Sequence, residues 1–531
     1  MNDTHFTITI FIVLLLIASG VAVATRWIRV PYTLALVIVG LLISPMHFIP
    51  VIHISPDLIL LIFLPALLFE AAWNLRLNHL RENLAPILTL AVLGVTVSVG
   101  VIGAILHFGI KSPWPTALLF GAMISATDPV SVLALFKKLG LPQRLVTIVE
   151  GESLLNDGTA AVIFRIILAI AIGASADESF GGLALHSLRE FIKVVFGGIA
   201  VGSAVGVFAS AATSRFDDRL LEITLTTIAA YGSFLAAEGL GVSPVIAVLA
   251  AGLIIGNYGR RAGMSPTTQV AVTSFWEYAA FVVNSLVFLL IGLETRLQAM
   301  VASAPTIAWG TLAMLVSRGV AIYGLMPLVN RFSPTPFKWR HILFWGGFRG
   351  SLSIALALSL PLTLEGRSEL VMMVFGAVIF SLLVQGLTIS PLLKWLRLGE
   401  RPPGMREYEV LQCRLLADTA ALAELDSLRN RGALTTQVYD DLKAELSEAN
   451  QSLVQRLAQL EQVERAVERQ QEERIRHHLA SVKKARLNEL LSEGIITDEV
   501  HGEVRRLIDR ELAAAPSEHS GSKSESCDQT T

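Results

Sequence analysis

The chain has 531 residues, of which 53% are hydrophobic and 16% charged, with a mean hydropathy of +0.60. That composition excludes an ordinary soluble domain. The net charge of −2 gives no electrostatic case for a nucleic-acid partner, and two cysteines, Cys413 and Cys527, supply neither a disulfide framework nor a CxxC metal site.

Charge is unevenly placed. The 131 residues from Arg401 onward hold 18 Lys/Arg and 24 Asp/Glu, against 24 and 20 in the first 400. The sequence therefore divides into a membrane domain, 1–400, a charged helical tail, 401–512, and a polar C-terminus, 513–531, that is expected to be disordered.

At the start, Phe6–Ala24 is apolar and ends in AVA, like a signal peptide. Met1–His5 carries no Lys or Arg, however, and Arg26 and Arg29 follow the apolar run. A cleaved signal has the reverse polarity, so this stretch reads as an uncleaved first span with its N-terminus outside. A span needs about 20 apolar residues. Thirteen can be placed, at roughly 6–25, 30–44, 57–74, 84–109, 115–136, 145–172, 187–211, 219–238, 243–258, 272–294, 305–330, 339–361 and 370–396. With the N-terminus outside, the inside loops carry sixteen Lys/Arg and the outside loops five. This follows the positive-inside rule and puts the tail in the cytoplasm.

The fifth and twelfth spans are interrupted. The fifth contains Ser125-Ala-Thr-Asp-Pro129, where proline removes a backbone donor and frees carbonyls in mid-membrane. The twelfth contains Gly346-Gly-Phe-Arg-Gly-Ser351. Spans 1–6 and 8–13 have opposite topology, and paired interruptions in inverted halves point to a transporter's binding site.

The sixth span, Leu145–Ala171, carries Glu150, Glu152, Asn156 and Asp157 in its first half. A charge near the bilayer centre costs about 2.5–3.5 kcal/mol on insertion scales, so these groups should face protein or a wet cavity. Ser153 and Asp157 are spaced i, i+4, as are Glu152 and Asn156, and together they predict one narrow polar stripe. The alternative is a buried polar network that only locks helix packing.

In the tail, Leu446, Leu453, Leu460 and Val467 recur every seven residues. This spacing predicts a coiled coil or paired amphipathic helices. Two further helical stretches are expected within Arg486–Leu512.

A carboxylate in a semi-dry cavity must hold either a proton or a cation. If Asp157 cannot hold both, the two ions compete for one site, and alternating access turns competition into exchange. Asp157, Ser153 and the freed Thr127 carbonyl supply the all-oxygen set that a hard cation prefers. Arg318 and Arg349 lie mid-membrane and cannot deprotonate, so each needs a partner. Glu152 is a candidate partner for Arg318. Arg349 and Asp128 can offset the half-helix dipoles where the broken spans cross. Arg165, Glu222, Glu238 and Glu277 lie nearer span ends or off the polar face and read as interfacial. Glu70 closes the run FLPALLFE, and its side chain faces either the cavity or elsewhere.

These residues carry a resemblance. Thr127-Asp128-Pro129, Glu152-Ser153-Leu-Leu-Asn156-Asp157-Gly158, the run to Glu70, Arg318 and FRGSLS at Arg349 resemble the sodium/proton antiporters of cation:proton antiporter family 1, the group of bacterial NhaP and the animal sodium/proton exchangers. The resemblance covers about residues 6–396. It implies an all-α polytopic membrane protein with the NhaA/NhaP-like antiporter fold, with about thirteen helices in inverted repeats and two broken helices that cross, followed by an α-helical cytoplasmic tail. It implies Asp157 as the ion- and proton-binding carboxylate, Thr127 and Ser153 as Na⁺ ligands, Asp128 at the crossover, Glu70 as a further ligand, and Glu152 paired with an arginine, Arg318 or Arg349. Asn156, counted with Asp157 among the ion- and proton-binding residues, marks the electroneutral branch, whose electrogenic relatives carry Asp-Asp. Family members are homodimers in the cell membrane and carry no cofactor beyond the transported Na⁺ or Li⁺ and H⁺. Their cytoplasmic tails are often regulatory, which leaves room for an unidentified ligand or partner here. K⁺/H⁺ exchange on the same fold is the nearest alternative. An ion channel or a transporter-like sensor is a more distant one, since no pore-like ring of carbonyl loops and no output-domain motif is visible. No nucleophile triad, phosphate loop or zinc spacing argues for an enzyme.

Overall fold

The structure is a computed structural model that describes residues 3–25, 27, 31–44, 58–172, 180–213, 215, 218–260, 263–295, 297–331, 333–398, 405–431, 435–460 and 495–513, with a few isolated positions between 479 and 491. Among the described residues every regular element is helical. The chain forms two compact units, Met1–Gly399 and Glu400–Thr531.

In the first unit the apolar runs become helices, and local chemistry sets their ends. Asp3–Ala24 (α1), Tyr32–Ile43 (α2) and Ile59–Asn74 (α3) come first. Next are Leu84–Ile110 (α4), then Trp114–Ser125 (α5) and Val130–Leu139 (α6) on either side of the first break. Gln143–Ala171 (α7), Phe180–Thr213 (α8) and Arg219–Gly239 (α9) follow. Pro244–Gly259 (α10), Pro266–Glu294 (α11) and Ala304–Val329 (α12) lead to the second break, between Phe337–Trp345 (α13) and Ser351–Leu358 (α14). Arg367–Trp395 (α15) closes the unit. Side-chain caps start several of these helices. Asp218 accepts from the Leu220 and Leu221 amides, Ser243 from Ile246 and Ser265 from Thr268, satisfying donors that a helix start leaves free. Prolines stand in the first turns of α5, α10, α11 and α12, where no backbone donor is lost.

Among the described residues, seven helices are long and apolar enough to cross a membrane: α4, α7, the His186–Thr213 part of α8, α9, α11, α12 and α15. Shorter apolar helices join them, including the His-free Thr9–Ala24 part of α1 and α2, α3, α5 and α10. In their described residues, the stretches read as spans fall on helices or helix pairs. The 339–361 segment ends three residues early, at Leu358, because the helix caps at Ser359 and Pro361 follows.

The helices pack as two bundles. One contains α1, α2, α3, α8, α9, α10 and α11; the other contains α4 to α7 and α12 to α15. Close backbone approach is built in at the α2–α11 seam, where a Cβ on Gly40 would lie 2.5 Å from the Leu289 carbonyl oxygen and 2.8 Å from the Gly292 Cα. Without a hydrophobic drive between helices in lipid, such small-residue seams supply the packing.

In the second unit, Met405–Asn430 (α16) and Thr436–Ala458 (α17) form an antiparallel hairpin. Tyr408 at one end packs with Leu457 and Leu460. At the other end the Tyr439 hydroxyl donates to Asp426 Oδ1 at 2.6 Å and accepts from Lys443 Nζ at 2.6 Å. Asp498–Ala513 (α18) follows. Of the heptad positions, Leu453 is buried and Leu446 and Leu460 are half-buried, while Val467 lies outside the described residues. So do residues 514–531 and therefore nearly all of the segment expected to be disordered, as well as Arg26 and Arg29.

Candidate functional site

The two breaks meet. Pro129 and the residues before it leave Ala126–Pro129 outside any helix, and the glycines do the same for 347–350. The Asp128 amide donates to the Phe348 carbonyl at 2.8 Å. A Cβ on Gly350 would overlap the Asp128 side chain, lying 2.5 Å from Oδ2, so only glycine fits at the crossing. Three of the four half-helix ends carry a compensating charge. Arg349 Nη1 donates to the Ser125 and Ala126 carbonyls at 2.9 and 3.3 Å, at the C-terminus of α5. Asp128 Oδ1 accepts from the Val130 amide at 3.0 Å, at the N-terminus of α6. Arg318 serves the other break: Nε and Nη2 donate to the Leu343 carbonyl, in the last turn of α13, at 3.2 and 2.9 Å. Cations thus sit at the C-termini and an anion at an N-terminus, as the helix dipole favours.

Helix α7 lies against this crossing, and its polar residues divide between two faces. Glu152 and Asn156 point into the second bundle. Glu152 forms a bidentate pair with Arg318, at 2.7 and 3.1 Å, and both residues are buried. This resolves the choice between Arg318 and Arg349. Asn156 Nδ2 donates to Glu152 Oε1 at 3.2 Å and to Thr127 Oγ1 at 2.7 Å. Ser153 Oγ donates to the Thr127 carbonyl and lies 2.9 Å from Thr127 Oγ1. One proton order satisfies this chain: Asn156 to the Thr127 hydroxyl, that hydroxyl to Ser153, and Ser153 to the Thr127 carbonyl.

Ser153 and Asp157 face a cavity of about 310 Å³ between the two bundles. Its second-bundle wall includes Thr127, Asp128, Glu150, Ser153, Asp157 and Ser351 to Ser353. The opposite wall is α3, with Glu70 and Asn74, and α11, with Asn284. Asn74 Nδ2 donates to Glu70 Oε1 at 2.6 Å, which aims that carboxylate. Asp157 Oδ1 is buried and accepts no hydrogen bond from any described residue. The site can therefore present a carboxylate, hydroxyls and a broken-helix carbonyl to one small hard cation or a proton.

Six of the nine residues singled out from the sequence lie at the crossing or in the cavity wall. Glu152 and Arg318 sit behind the wall as an ion pair. Asn156, fully buried, is not in the lining and holds Thr127 in place. The single stripe expected on α7 is corrected to two. Residues i and i+1 differ by about 100° on a helix, so Glu152/Asn156 and Ser153/Asp157 diverge once neighbours pack on both sides. Glu150, seven residues before Asp157 and so on its face, lines the cavity, in keeping with the expected cost of a charge in this span, but was not singled out as a site residue; Asn284 was missed altogether. The spacing pointed to Glu150; nothing local pointed to Asn284. Of the residues read as interfacial, Arg165, Glu238 and Glu277 are exposed, whereas Glu222 is fully buried in the first turn of α9.

The sodium/hydrogen exchanger family, described as transmembrane, matches residues 10–395. The chain is 43% identical over 425 residues to the Na(+)/H(+) antiporter ApNhaP of Aphanothece halophytica, covering 79% of this chain and 80% of that one. It is 38% identical over 543 residues to the Na(+)/H(+) antiporter NhaG of Bacillus atrophaeus, covering 97% and 99%. Its fold is similar to that of the sodium proton antiporter MjNhaP1 of Methanocaldococcus jannaschii, with a TM-score of 0.61 at 21% identity over 74% of this chain and all of that one.

Proposed function

The chain belongs to the sodium/hydrogen exchanger family, and on that premise we propose that it is an electroneutral antiporter, exchanging one Na⁺ or Li⁺ for one proton at Asp157. The observation that carries this reading is the partition of charge at the crossing. Glu152 is neutralised by Arg318 at 2.7 Å, while the buried Asp157 Oδ1 accepts no hydrogen bond from any described residue. Among the described carboxylates of the cavity wall, Asp157 is the one with a buried oxygen that accepts no hydrogen bond; it trades a proton for a cation, and one charge moves each way.

In this reading Na⁺ binds Asp157, the Ser153 hydroxyl and the Thr127 carbonyl, with Asp128 and Glu70 adding negative charge from the two walls. Cation entry must open the Ser153–Thr127 contact. Protonation of Asp157 lets it close again, so the two ligands exclude each other. Asn156 acts as the strut that holds Thr127 in register. The transported ions are cargo, and no cofactor enters. The crossing moves with the second bundle against the first, exposing the cavity to each side in turn. Thirteen crossings put the N-terminus outside and the tail in the cytoplasm, with the protein a homodimer in the cell membrane. The tail hairpin serves as a regulatory element.

The test is proton efflux from proteoliposomes on adding Na⁺, Li⁺ or K⁺, with and without an imposed membrane potential. A Na⁺ and Li⁺ response of equal rate at both potentials is expected. A rate that follows the potential would overturn one-for-one exchange, and a response to K⁺ alone would replace the cation while keeping the site.

A further inference from the structure

Asn284 stands out in its helix. It sits in α11 just before the apolar run Leu286 to Ile291, and it is only 8% exposed. Its Oδ1 is buried and makes no hydrogen bond with any described residue. A buried amide oxygen without a partner is destabilising, and a residue whose task was to lock two helices together would have one. The adjacent Ser285 shows what such a lock looks like: its hydroxyl donates to the Phe281 carbonyl at 2.5 Å and meets the Tyr32 hydroxyl at 2.7 Å.

Asn284 lines the ion cavity from the wall opposite Asp157. The two residues belong to different bundles, since α11 packs with α2 and α3 and α7 packs with α5. The ligands assigned so far on the crossing side all travel with the second bundle. On the facing wall Glu70 already has a donor in Asn74. Asn284 brings a neutral carbonyl oxygen, which suits a partly dehydrated hard cation and adds no charge that would alter the exchange ratio.

We propose that Asn284 is a specificity-determining residue, whose amide oxygen helps to replace the water shed by the cation as it reaches Asp157. This inference rests on the assignment of Asp157 as the cation-binding carboxylate. Because the contact spans two bundles, it forms only when the cavity is closed around the ion, and it favours one cation size over another.

The test uses the full chain in proteoliposomes, with Asn284→Leu compared to wild type. Na⁺ and Li⁺ concentrations are varied to separate KM from the maximal rate, and the melting temperature is read on the same preparations. The expected result is a rise of about fivefold or more in the Na⁺ KM, the equivalent of one neutral polar contact. The Li⁺/Na⁺ ratio of kcat/KM should shift by at least about twofold, with a melting temperature equal to or above that of wild type because an unsatisfied amide has been removed. Asn284→Ala, which adds no bulk, gives a second reading of the same quantities if the leucine fails to fold. An unchanged KM and an unchanged Li⁺/Na⁺ ratio would overturn the proposal, as would a lower melting temperature with KM unmoved, which marks a packing residue. Wild-type protein and Asp157→Asn are run alongside. If wild type fails to exchange, or Asp157→Asn exchanges normally, the parent reading fails; if both behave as expected, the Asn284 result is judged alone.

Discussion

Replacing Arg318 with Met should be among the most destabilising single changes in the membrane domain, and replacing Glu152 at the same time should undo much of the damage. The guanidinium makes two charged hydrogen bonds to Glu152, at 2.7 and 3.1 Å, and two more contacts to the Leu343 carbonyl, at 2.9 and 3.2 Å. Glu152 is 2% exposed and Arg318 8%. Removing one partner of a buried pair leaves an uncompensated charge and costs about 3–5 kcal/mol. Two charge-assisted bonds at about 1.5–3 kcal/mol each give the same range. In the double variant Glu152→Gln, Arg318→Met neither charge remains. The residual loss is then the unpaired Leu343 carbonyl, about 1–3 kcal/mol. A double-mutant cycle on unfolding in mixed detergent micelles should therefore return a coupling energy of about 3 kcal/mol or more. Additive losses, with coupling below about 0.5 kcal/mol, would refute the claim that this pair neutralises Glu152.

Gly350→Ala should abolish exchange while Gly20→Ala does not, because a Cβ at 350 meets Asp128 Oδ2 at 2.5 Å and one at 20 meets nothing within 4 Å; Na⁺-driven proton efflux distinguishes them. Asn156→Asp should lose most of its transport and remain insensitive to membrane potential, since it turns a donor 3.2 Å from Glu152 Oε1 into a second carboxylate; a potential-sensitive variant would show the electroneutral assignment to be a matter of this one residue. In the tail, the Tyr439 hydrogen bond, with Lys443 and Arg429 nearby, holds Asp426 below the usual carboxylate range. A depressed folded pKa stabilises above the unfolded value, near 3.9, and the contribution is lost as pH falls through the folded one. Amide-exchange protection within 405–458, taken relative to the slower intrinsic exchange at low pH, should thus fall on going from pH 5 to pH 3, and Tyr439→Phe should reduce that difference.

Much of the site was legible because its chemistry is local. Pro129 and the glycines from 346 to 350 marked both breaks, since each residue type acts on its own backbone. That Asp157 faces a protein-lined cavity followed from the cost of a carboxylate in an apolar span. What needed neighbours was not legible. Glu152 and Ser153 are adjacent, and only the packing of α12 on one side and the cavity on the other sends them to different tasks. The choice of Arg318 over Arg349 depends on how α13 ends, because the Leu343 carbonyl fixes the Arg318 fork. Asn284 lies more than a hundred residues from Asp157, in an apolar helix with no other signal. The tail spacing announced helix pairing but could not say which helix was the partner; α16 supplies it within the same chain.

The most direct test of the central claim is cation-driven proton movement by Asp157→Asn in proteoliposomes, at saturating Na⁺ and across pH 5 to 9, on protein that elutes and melts like wild type. The account predicts no exchange at any pH, because the amide can hold neither ion. Retained Na⁺-dependent proton efflux from that variant would show that another group carries the proton and the cation.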